Sequence, residues 1–334
     1  MTMNSIPVGA SQLACMESRT IDHAEGSSAS AWRTLSRPLW LSEHQWPFAT
    51  RALEFEGTHI AVTDIGRGPT LLFVHTGFWS FIWRDVIAQL SANFRCVCFD
   101  APGTGQSGRL PVARISLQAA SRALTFLVQA LGLEDVTLVV HDLGGVSGIV
   151  GAARVPDRIA GLCGVNTFGW RPSGAAFRGM LAVMGSASMR EFDVITQLLP
   201  RITSTAFGVG RHFDAASRKA FFDGIGPQGV RAFHSYLRDV RKSTTVYEPL
   251  LKALSGPFRM LPLLTIFGER NDPLGFQPQW KKLYPQARQI VVKKGNHFPM
   301  CDAPDLVAAS IREFHRDLVI PAIQESIAQG GGRS

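Results

Sequence analysis

VTLVVHDLGGVSG, at residues 136–148, is the segment from which the architecture of this chain can be inferred. Residues 136–140 form an apolar, β-branched run that predicts a buried strand, and the small residues from Gly144 onward predict a helix after a sharp turn. Asp142 stands at the tip of that turn. A nucleophile elbow needs this arrangement, because the reacting side chain must project from a tight turn that small residues permit. The alternative is that Asp142 only caps the helix, since aspartate is favoured there.

Similar apolar runs on either side of this segment alternate with helical patterns. The later runs are apolar on both faces, which is typical of strands covered by helices on both sides. The first two runs are separated by only Gly57 and Thr58, which indicates a hairpin. We therefore expect an α/β fold with a mostly parallel, eight-stranded sheet and helices on both faces. The eight predicted strands lie at 52–56, 59–65, 70–75, 95–100, 136–141, 161–166, 263–268 and 288–294.

One interval interrupts the alternation of strands and helices. Residues 169–258 show helical patterns without a clear strand, and we expect them to form a helical cap inserted after strand 6. Such a cap would cover the carboxyl edge of the sheet, where open α/β sheets bind ligands. The remaining chain divides into a flexible N-terminal arm (1–37), a core (38–168 and 259–320) and a C-terminal tail (321–334).

Composition excludes several classes of protein. The 334 residues are 46% hydrophobic and 18% charged, which is incompatible with a disordered chain, and no apolar run is long enough to span a membrane. The net charge is +8, but the basic residues are scattered, so we expect no nucleic-acid partner. The five cysteines are an odd number, and Cys96 and Cys98 are expected on one face of a strand as core residues. Because no secretion signal is visible, we expect a cytoplasmic protein.

Two further residues fit a catalytic set with Asp142. Asp272 follows the strand LLTIFG, and His297 follows the strand RQIVVKK, so all three lie beyond the carboxyl ends of strands. The order nucleophile, acid, histidine is that of the α/β-hydrolase fold. We therefore predict a catalytic triad of Asp142, His297 and Asp272, with Glu269 as the alternative acid.

An aspartate nucleophile implies a specific chemistry. A carboxylate is ionised at neutral pH, so it can attack an sp³ carbon without a base and form an alkyl–enzyme ester. His297, oriented by Asp272, would then activate a water that hydrolyses the ester. Hydrolysis places an oxyanion on Asp142, which requires two backbone donors. We expect these to be the N–H of Leu143 and an N–H of the loop after the third strand, from Gly77 or Phe78.

Several segments together resemble the signature segments of haloalkane dehalogenase-like α/β-hydrolases, a framework shared with epoxide hydrolases. The resemblance covers about residues 38–318 and is weakest in the cap. It implies a hydrolase without a cofactor, which acts with water on a small apolar organic substrate. The segments are LLFVHTGFWSFIWRDVI, CFDAPGTGQSGR, VVHDLGG, VNTFGW, FGERNDPLG and GNHFPMCDAPDLV.

The chain departs from this family where the leaving group is bound. Haloalkane dehalogenases generally hold the halide with a Trp directly after the nucleophile, and here that position is Leu143. Candidate replacements are Trp79, Trp83 and Trp170, each of which could equally be core or pocket wall. Epoxide opening would instead need an acid, for which the cap offers Tyr236 and Tyr247. Packing is an equally good explanation for both tyrosines.

Other functions are less compatible with the sequence. The segment GTGQSG, residues 103–108, matches a dinucleotide-binding pattern, but no acidic residue follows between Asp100 and Glu134. His75 and His141 flank the predicted site without a recognised metal-ligand spacing, so we expect no metal and no cofactor. A ligand-binding protein on a hydrolase fold remains the alternative from another functional class. The sequence does not indicate an oligomeric state.

Overall fold

A nine-stranded sheet forms the centre of the molecule. The structure is a computed structural model that describes residues 32–272 and 274–329. The strands are β1 (Trp32–Thr34), β2 (Arg51–Phe55), β3 (Thr58–Ile65), β4 (Thr70–Thr76), β5 (Arg95–Asp100), β6 (Val136–Asp142), β7 (Ile159–Thr167), β8 (Leu263–Gly268) and β9 (Arg288–Val292). Their order across the sheet is β1-β2-β3-β5-β4-β6-β7-β8-β9. The pairs β1–β2, β2–β3 and β3–β5 are antiparallel, and all other neighbours are parallel. The carboxyl ends of the parallel strands therefore meet at one edge.

Helices cover both faces of this sheet, which confirms the expected fold class. Alternate residues of β4 enter different apolar clusters: Leu72 and Val74 pack in one with α2, α3 and α8, while Leu71 and Phe73 pack in the other with α1 and α11. The helices are, in chain order, α1 (Arg84–Leu90), α2 (Leu117–Ala130), α3 (Gly144–Ala152), α4 (Ala175–Met184), α5 (Ala187–Thr196), α6 (Leu198–Thr203), α7 (Ala215–Lys242), α8 (Tyr247–Ser255), α9 (Phe276–Leu283), α10 (Pro299–Asp302), α11 (Pro304–Phe314) and α12 (Ile320–Ala328).

The helices α4 to α8 all lie between β7 and β8, in the interval 169–258 where the sequence predicts a helical insertion. The long helix α7 is bent at Gly226, whose φ of 53° is not helical, and Pro227 follows directly. A proline inside a helix removes one backbone hydrogen bond and bends the axis. The function of this insertion as a cap stays a prediction.

The sheet has nine strands rather than the predicted eight. The additional strand, β1, lies at the end of the segment that we expected to be a flexible arm, residues 1–37; residues 1–31 lie outside the described part of the chain. Trp32 pairs with Leu53, and the guanidinium of Arg51 lies 5.0 Å from the Trp32 ring centroid. A three-residue strand depends on its partner more than on its own propensity, which is why the sequence alone did not predict it.

The C-terminal tail, predicted at 321–334, also has structure in its described part. α11 continues through a π-helical turn at residues 315–319 into α12, which contains Pro321 in its first turn. Pro321 removes one backbone hydrogen bond of this continuous helix, and the π-helical turn directly before it alters the hydrogen-bond pattern at that point.

The glycine-rich loop at residues 103–108 packs against a buried carboxylate rather than presenting a nucleotide site. Asp100 accepts hydrogen bonds from the backbone N–H groups of Ser80 and Gln106, each at 2.8 Å. A Cβ at Gly105 would lie 2.2 Å from an Asp100 carboxylate oxygen and 2.7 Å from the Trp79 Cβ. Burial raises the pKa of Asp100, although these hydrogen bonds act in the opposite direction. The loop thus joins β5 to the segment that follows β4.

We expect Gly145→Ala to destabilise the fold by about 1–3 kcal/mol, the usual cost of overpacking. A Cβ at Gly145 would lie 2.0 Å from the Thr167 hydroxyl and 2.6 Å from the Phe168 carbonyl oxygen, so α3 could not keep its position against β7. Gly179→Ala is the matched control, since a Cβ there meets nothing within 4 Å and α4 gains a better helix former. Urea unfolding would measure both changes. Equal stability of Gly145→Ala and the wild type would contradict the predicted close packing.

No helix in the described ranges is both long and apolar enough to cross a membrane.

Candidate active site

Asp142 occupies the elbow that the sequence predicts. It is the last residue of β6, and its φ of 53° places it in the left-handed region, which non-glycine residues seldom adopt. The turn is tight because α3 begins immediately: a Cβ at Gly144 would lie 2.7 Å from the Val74 carbonyl oxygen. The backbone carbonyl of Asp142 accepts a hydrogen bond from the Thr167 hydroxyl at 2.6 Å. These contacts fix a strained turn and leave the carboxylate at the edge of the sheet.

His297 faces the carboxylate of Asp142. The imidazole Nε2 lies 3.8 Å from the Asp142 Oδ1, and the two side chains are 31% and 20% exposed. His297 lies in the loop between β9 and α10 and therefore comes from the same edge of the sheet as Asp142. The structure thus brings together two of the three predicted catalytic residues, and both remain accessible to a small molecule.

Asp272, the predicted acid, does not contact His297. Its two carboxylate oxygens accept the backbone N–H groups of Phe276 at 2.6 Å and Gln277 at 2.9 Å. These donors belong to the first turn of α9, where backbone N–H groups have no partner within the helix. Asp272 therefore acts as a helix cap, which corrects the expected contact with the imidazole. Glu269, the alternative acid, is also committed elsewhere, since it accepts the N–H of Lys294 at 2.8 Å.

Asn271 takes the position next to the imidazole that we predicted for Asp272. The His297 Nδ1 lies 2.8 Å from the Asn271 Oδ1. The orientation of this amide follows from Asn166 at the end of β7. The Asn166 Oδ1 accepts the backbone N–H of Gly268 at 3.0 Å, so its Nδ2 must point to the Asn296 carbonyl oxygen at 2.9 Å and the Asn271 Oδ1 at 3.4 Å.

The Asn271 oxygen therefore accepts hydrogen bonds, and the His297 Nδ1 must carry the proton that it donates. This leaves the lone pair of Nε2 directed toward Asp142. Asn166 and Asn271 were not among the predicted site residues. The available signal was the position of Asn166, a polar residue near the end of an otherwise apolar strand.

Two buried histidines, His75 and His141, form a hydrogen-bonded chain that ends at the backbone of His297. The His75 Nε2 accepts the backbone N–H of Phe78 at 3.0 Å, so the proton of His75 is on Nδ1, 3.1 Å from the His141 Nδ1. The His141 Nε2 then donates to the His297 carbonyl oxygen at 2.9 Å. Burial, together with the nearby charge of His297, lowers the pKa of His75 to about 3 and that of His141 well below its usual range. Both rings are therefore neutral at neutral pH, and they link the loops after β4 and β9.

This linkage changes the expectation for the oxyanion donors. The Phe78 N–H is already donated to His75, so Phe78 is a weaker candidate than Gly77. A Cβ at Gly77 would lie 3.2 Å from the ring of Phe233, which belongs to α7. Leu143 is buried at the start of α3, directly after Asp142. Gly77 and Leu143 stay the proposed donors.

The predicted tryptophan donors are placed in the core or the pocket wall. The Trp79 indole N–H donates to the Phe221 carbonyl oxygen at 3.1 Å, which ties it to α7. Trp83 is fully buried beside Phe73, and its Nε1 has no hydrogen-bond partner among the described residues. Trp170 is 8% exposed and packs against Phe276 and Trp280. None of the three indole groups is seen to converge on Asp142.

Both predicted tyrosine acids are structural. Tyr236 donates its hydroxyl to the Pro102 carbonyl oxygen at 2.7 Å, and Tyr247 donates to that of Val240 at 2.7 Å. Burial raises the pKa of both phenols. A buried phenol whose proton is already shared with a carbonyl is a poor acid for a leaving alkoxide, so the structure gives the epoxide route no support from these residues.

Apolar aromatic rings surround the loops of the site. Phe78 and Phe233 stack at 4.8 Å with an interplanar angle of 11°, so α7 closes over the segment after β4. Across the described ranges, no group of three or more His, Cys, Asp or Glu side chains could hold a metal ion.

Comparison with known proteins agrees with the observed fold. A family model described as "Alpha/beta hydrolase family" matches residues 71–310. The chain belongs to the alpha/beta hydrolase family. It is a haloalkane dehalogenase-like member: haloalkane dehalogenase 2 of Mycobacterium tuberculosis (strain ATCC 25618 / H37Rv) is 27% identical over 281 residues, which are 80% of this chain and 95% of that protein.

A second relative has a different named activity. The cis-3-alkyl-4-alkyloxetan-2-one decarboxylase of Shewanella oneidensis (strain ATCC 700550 / JCM 31522 / CIP 106686 / LMG 19005 / NCIMB 14063 / MR-1) is 33% identical over 298 residues, covering 80% of this chain and 88% of that protein. Among solved structures, a loop variant of haloalkane dehalogenase DbeA from Bradyrhizobium elkanii matches this hydrolase with a TM-score of 0.68 and 18% identity, over 84% of this chain and 99% of that one. The structural match shows a shared fold.

Proposed function

We propose that this hydrolase forms a covalent alkyl ester on Asp142, which a water activated by His297 then hydrolyses without a cofactor. The observation that carries the proposal is the His297 Nε2 facing the Asp142 carboxylate at 3.8 Å, with both side chains accessible at a strained elbow. The 3.8 Å separation is longer than a hydrogen bond, so the two groups are not locked together and can act in sequence.

In the first step, an Asp142 carboxylate oxygen attacks an sp³ carbon. A bond forms between that oxygen and the carbon, and the leaving group departs with the electron pair of its bond. A carboxylate anion is itself the nucleophile in this step, so no base is needed.

In the second step, His297 Nε2 takes a proton from water, and the resulting hydroxide attacks the ester carbonyl carbon of Asp142. The oxyanion that forms is stabilised by the N–H groups of Leu143 and Gly77. Collapse breaks the bond between the carbonyl carbon and the alkyl oxygen. The alkoxide takes the proton from His297 and leaves as an alcohol. Asp142 retains one oxygen of the water, and the remaining proton of that water passes to solvent, which restores the carboxylate.

The proposed reaction is the cleavage of a carbon–halogen bond in a small apolar haloalkane. It is supported by the curated relatives, since haloalkane dehalogenase 2 aligns over most of both chains. Epoxide hydrolysis was the alternative, but the hydroxyl groups of Tyr236 and Tyr247 are both donated to backbone carbonyls.

Opening of an oxetan-2-one is the second candidate. It is favoured by the relative that is 33% identical and is named as a decarboxylase of such rings. Ring opening also needs no free indole donor for a departing anion, and the Trp79 indole N–H is already donated to the Phe221 carbonyl oxygen. A halide leaves as a free anion that needs N–H donors, whereas the leaving carboxylate of a strained ring remains attached to the substrate.

The proposal is tested by a single turnover in oxygen-18 water. We expect one heavy oxygen in the Asp142 carboxylate, detected by peptide mass spectrometry, because the water attacks the carbonyl carbon of the ester. Label that appears only in the product would contradict the mechanism. Binding without any turnover or label would indicate a ligand-binding protein.

The substrate class is tested with a matched panel of 1-bromobutane, 1,2-epoxybutane and a cis-3,4-dialkyloxetan-2-one. Bromide release with 1-butanol supports the dehalogenase assignment. Carbon dioxide with an alkene from the third compound supports the second candidate, and diol formation would restore the epoxide alternative. The masses of the products separate these outcomes directly.

A further inference from the structure

We propose that Asn271 is the positioning residue for His297, and that its neutral amide makes breakdown of the ester the slow step of turnover. The inference rests on the proposed function, because it concerns the second step at the same Asp142. The observation is the 2.8 Å hydrogen bond between His297 Nδ1 and Asn271 Oδ1, at the place where a carboxylate was predicted.

The amide of Asn271 performs one of the two roles that a carboxylate would have here, which is to fix the tautomer of His297. Its oxygen accepts the Nδ1 proton, so it fixes the tautomer in which Nε2 is free to act as a base. The orientation cannot reverse without loss, because a flipped Asn271 would present its NH₂ to both the imidazole Nδ1–H and the Asn166 Nδ2, which is itself a donor. A chain of hydrogen bonds from the Gly268 N–H through Asn166 therefore specifies the base.

The amide does not perform the second role of a carboxylate, which is to stabilise a positive charge on the imidazole. When His297 takes a proton from water it becomes an imidazolium. A carboxylate acceptor would stabilise this positive charge by attraction between opposite charges, which the uncharged amide of Asn271 does not supply. The adjacent carboxylate of Asp272 is held at the start of α9 by two backbone N–H groups.

The sharpest test is to supply the missing charge. In Asn271→Asp we expect ester breakdown to accelerate about tenfold, because a charged acceptor stabilises the imidazolium. The acid limb of the pH–rate profile should move up by about one pH unit. Asp142 and His141 from β6, and His75 from β4, also face His297 and remain unchanged in this variant. Ester formation needs no base, so its rate should change less than twofold.

Two further variants locate the positioning residue. Asn271→Ala should slow ester breakdown about tenfold, through loss of the hydrogen bond that fixes the tautomer. Nitrogen NMR of the imidazole should then show mixed tautomers in place of the Nδ1–H form, a signal that does not depend on any substrate. Asp272→Asn keeps only one acceptor for the two N–H groups of α9, but it does not change the partner of the imidazole, so breakdown should stay within about twofold.

The measurements are rapid-quench mass spectrometry of the Asp142 ester with 1-bromobutane and the NMR spectrum of the free protein. An unchanged breakdown rate and pH profile in Asn271→Asp would overturn the inference, as would a large loss in Asp272→Asn. If no ester forms on Asp142 in any variant, the proposed function fails instead. If ester forms and the NMR tautomer is the same with and without Asn271, only the inference fails.

Discussion

Asp142→Asn is expected to lower turnover by roughly 10⁴-fold or more while leaving the fold intact, because a neutral amide is a poor nucleophile. Asparagine is the informative substitution, since asparagine and aspartate both adopt left-handed backbone conformations more readily than other non-glycine residues. The φ of 53° at residue 142 can therefore be retained. Alanine at this position would combine a loss of chemistry with backbone strain. Steady-state product formation and circular dichroism would be measured on the same preparation.

Asp135→Asn is the matched control for this variant. Asp135 precedes the first residue of β6 and also has a positive φ, 48°, while Asp142 ends the same strand. The two substitutions therefore make the same chemical change in the same backbone conformation at opposite ends of one strand. Turnover should be unchanged in Asp135→Asn. Activity of Asp142→Asn above about one per cent of wild type would remove Asp142 from the nucleophile role.

The elbow could be predicted from the sequence because its causes are local. An apolar strand, an acidic residue at a turn and small residues behind it lie within residues 136–148, and each leaves a direct trace in the sequence. The alternation of strands and helices is similarly local, so the sheet and the helices on its faces were confirmed. The edge strand β1 and the helix α12 were not predicted. The stability of β1 depends on its partner Leu53, and that of α12 on the preceding helix, rather than on their own residues.

The third member of the site could not be predicted in the same way. Asn271 and Asp272 are neighbours, and residue type favours the carboxylate as the partner of a histidine. The choice is made by two distant features: Asn166 on β7 orients Asn271, while the free N–H groups at the start of α9 hold Asp272. Both are tertiary contacts that single-sequence reasoning does not contain.

The aromatic candidates show a related limit. Their positions in the sequence make Trp79, Tyr236 and Tyr247 candidates for binding the leaving group, but their chemistry depends on where the polar tip of each ring finds a partner. All three tips donate to backbone carbonyls, of Phe221, Pro102 and Val240. The backbone is a partner that no side-chain pattern reveals.

We expect the free energy of unfolding to fall by about 2 kcal/mol between pH 7.5 and pH 5 through His75, and the buried His141 acts in the same direction. Burial holds the pKa of His75 at about 3 and that of His141 well below its usual range. A histidine in the unfolded chain titrates near pH 6.5, so below that pH the unfolded state binds protons that the folded state rejects. The His75 ring then costs about 2 kcal/mol at pH 5, and the stability is lost as the pH falls.

Urea unfolding of the wild type and of His75→Gln at pH 7.5 and pH 5 measures this effect. Glutamine can still accept the Phe78 N–H and donate toward His141, yet it does not titrate. The loss of stability between the two pH values should therefore shrink by about 2 kcal/mol in the variant. The comparison of changes removes any constant effect of the substitution, and it also removes the effect of groups that both proteins share, such as Asp100, whose raised pKa acts in the opposite direction. Identical pH dependence in the two proteins would mean that His75 accepts a proton in the folded state, and the tautomer chain from Phe78 to His297 would then be wrong.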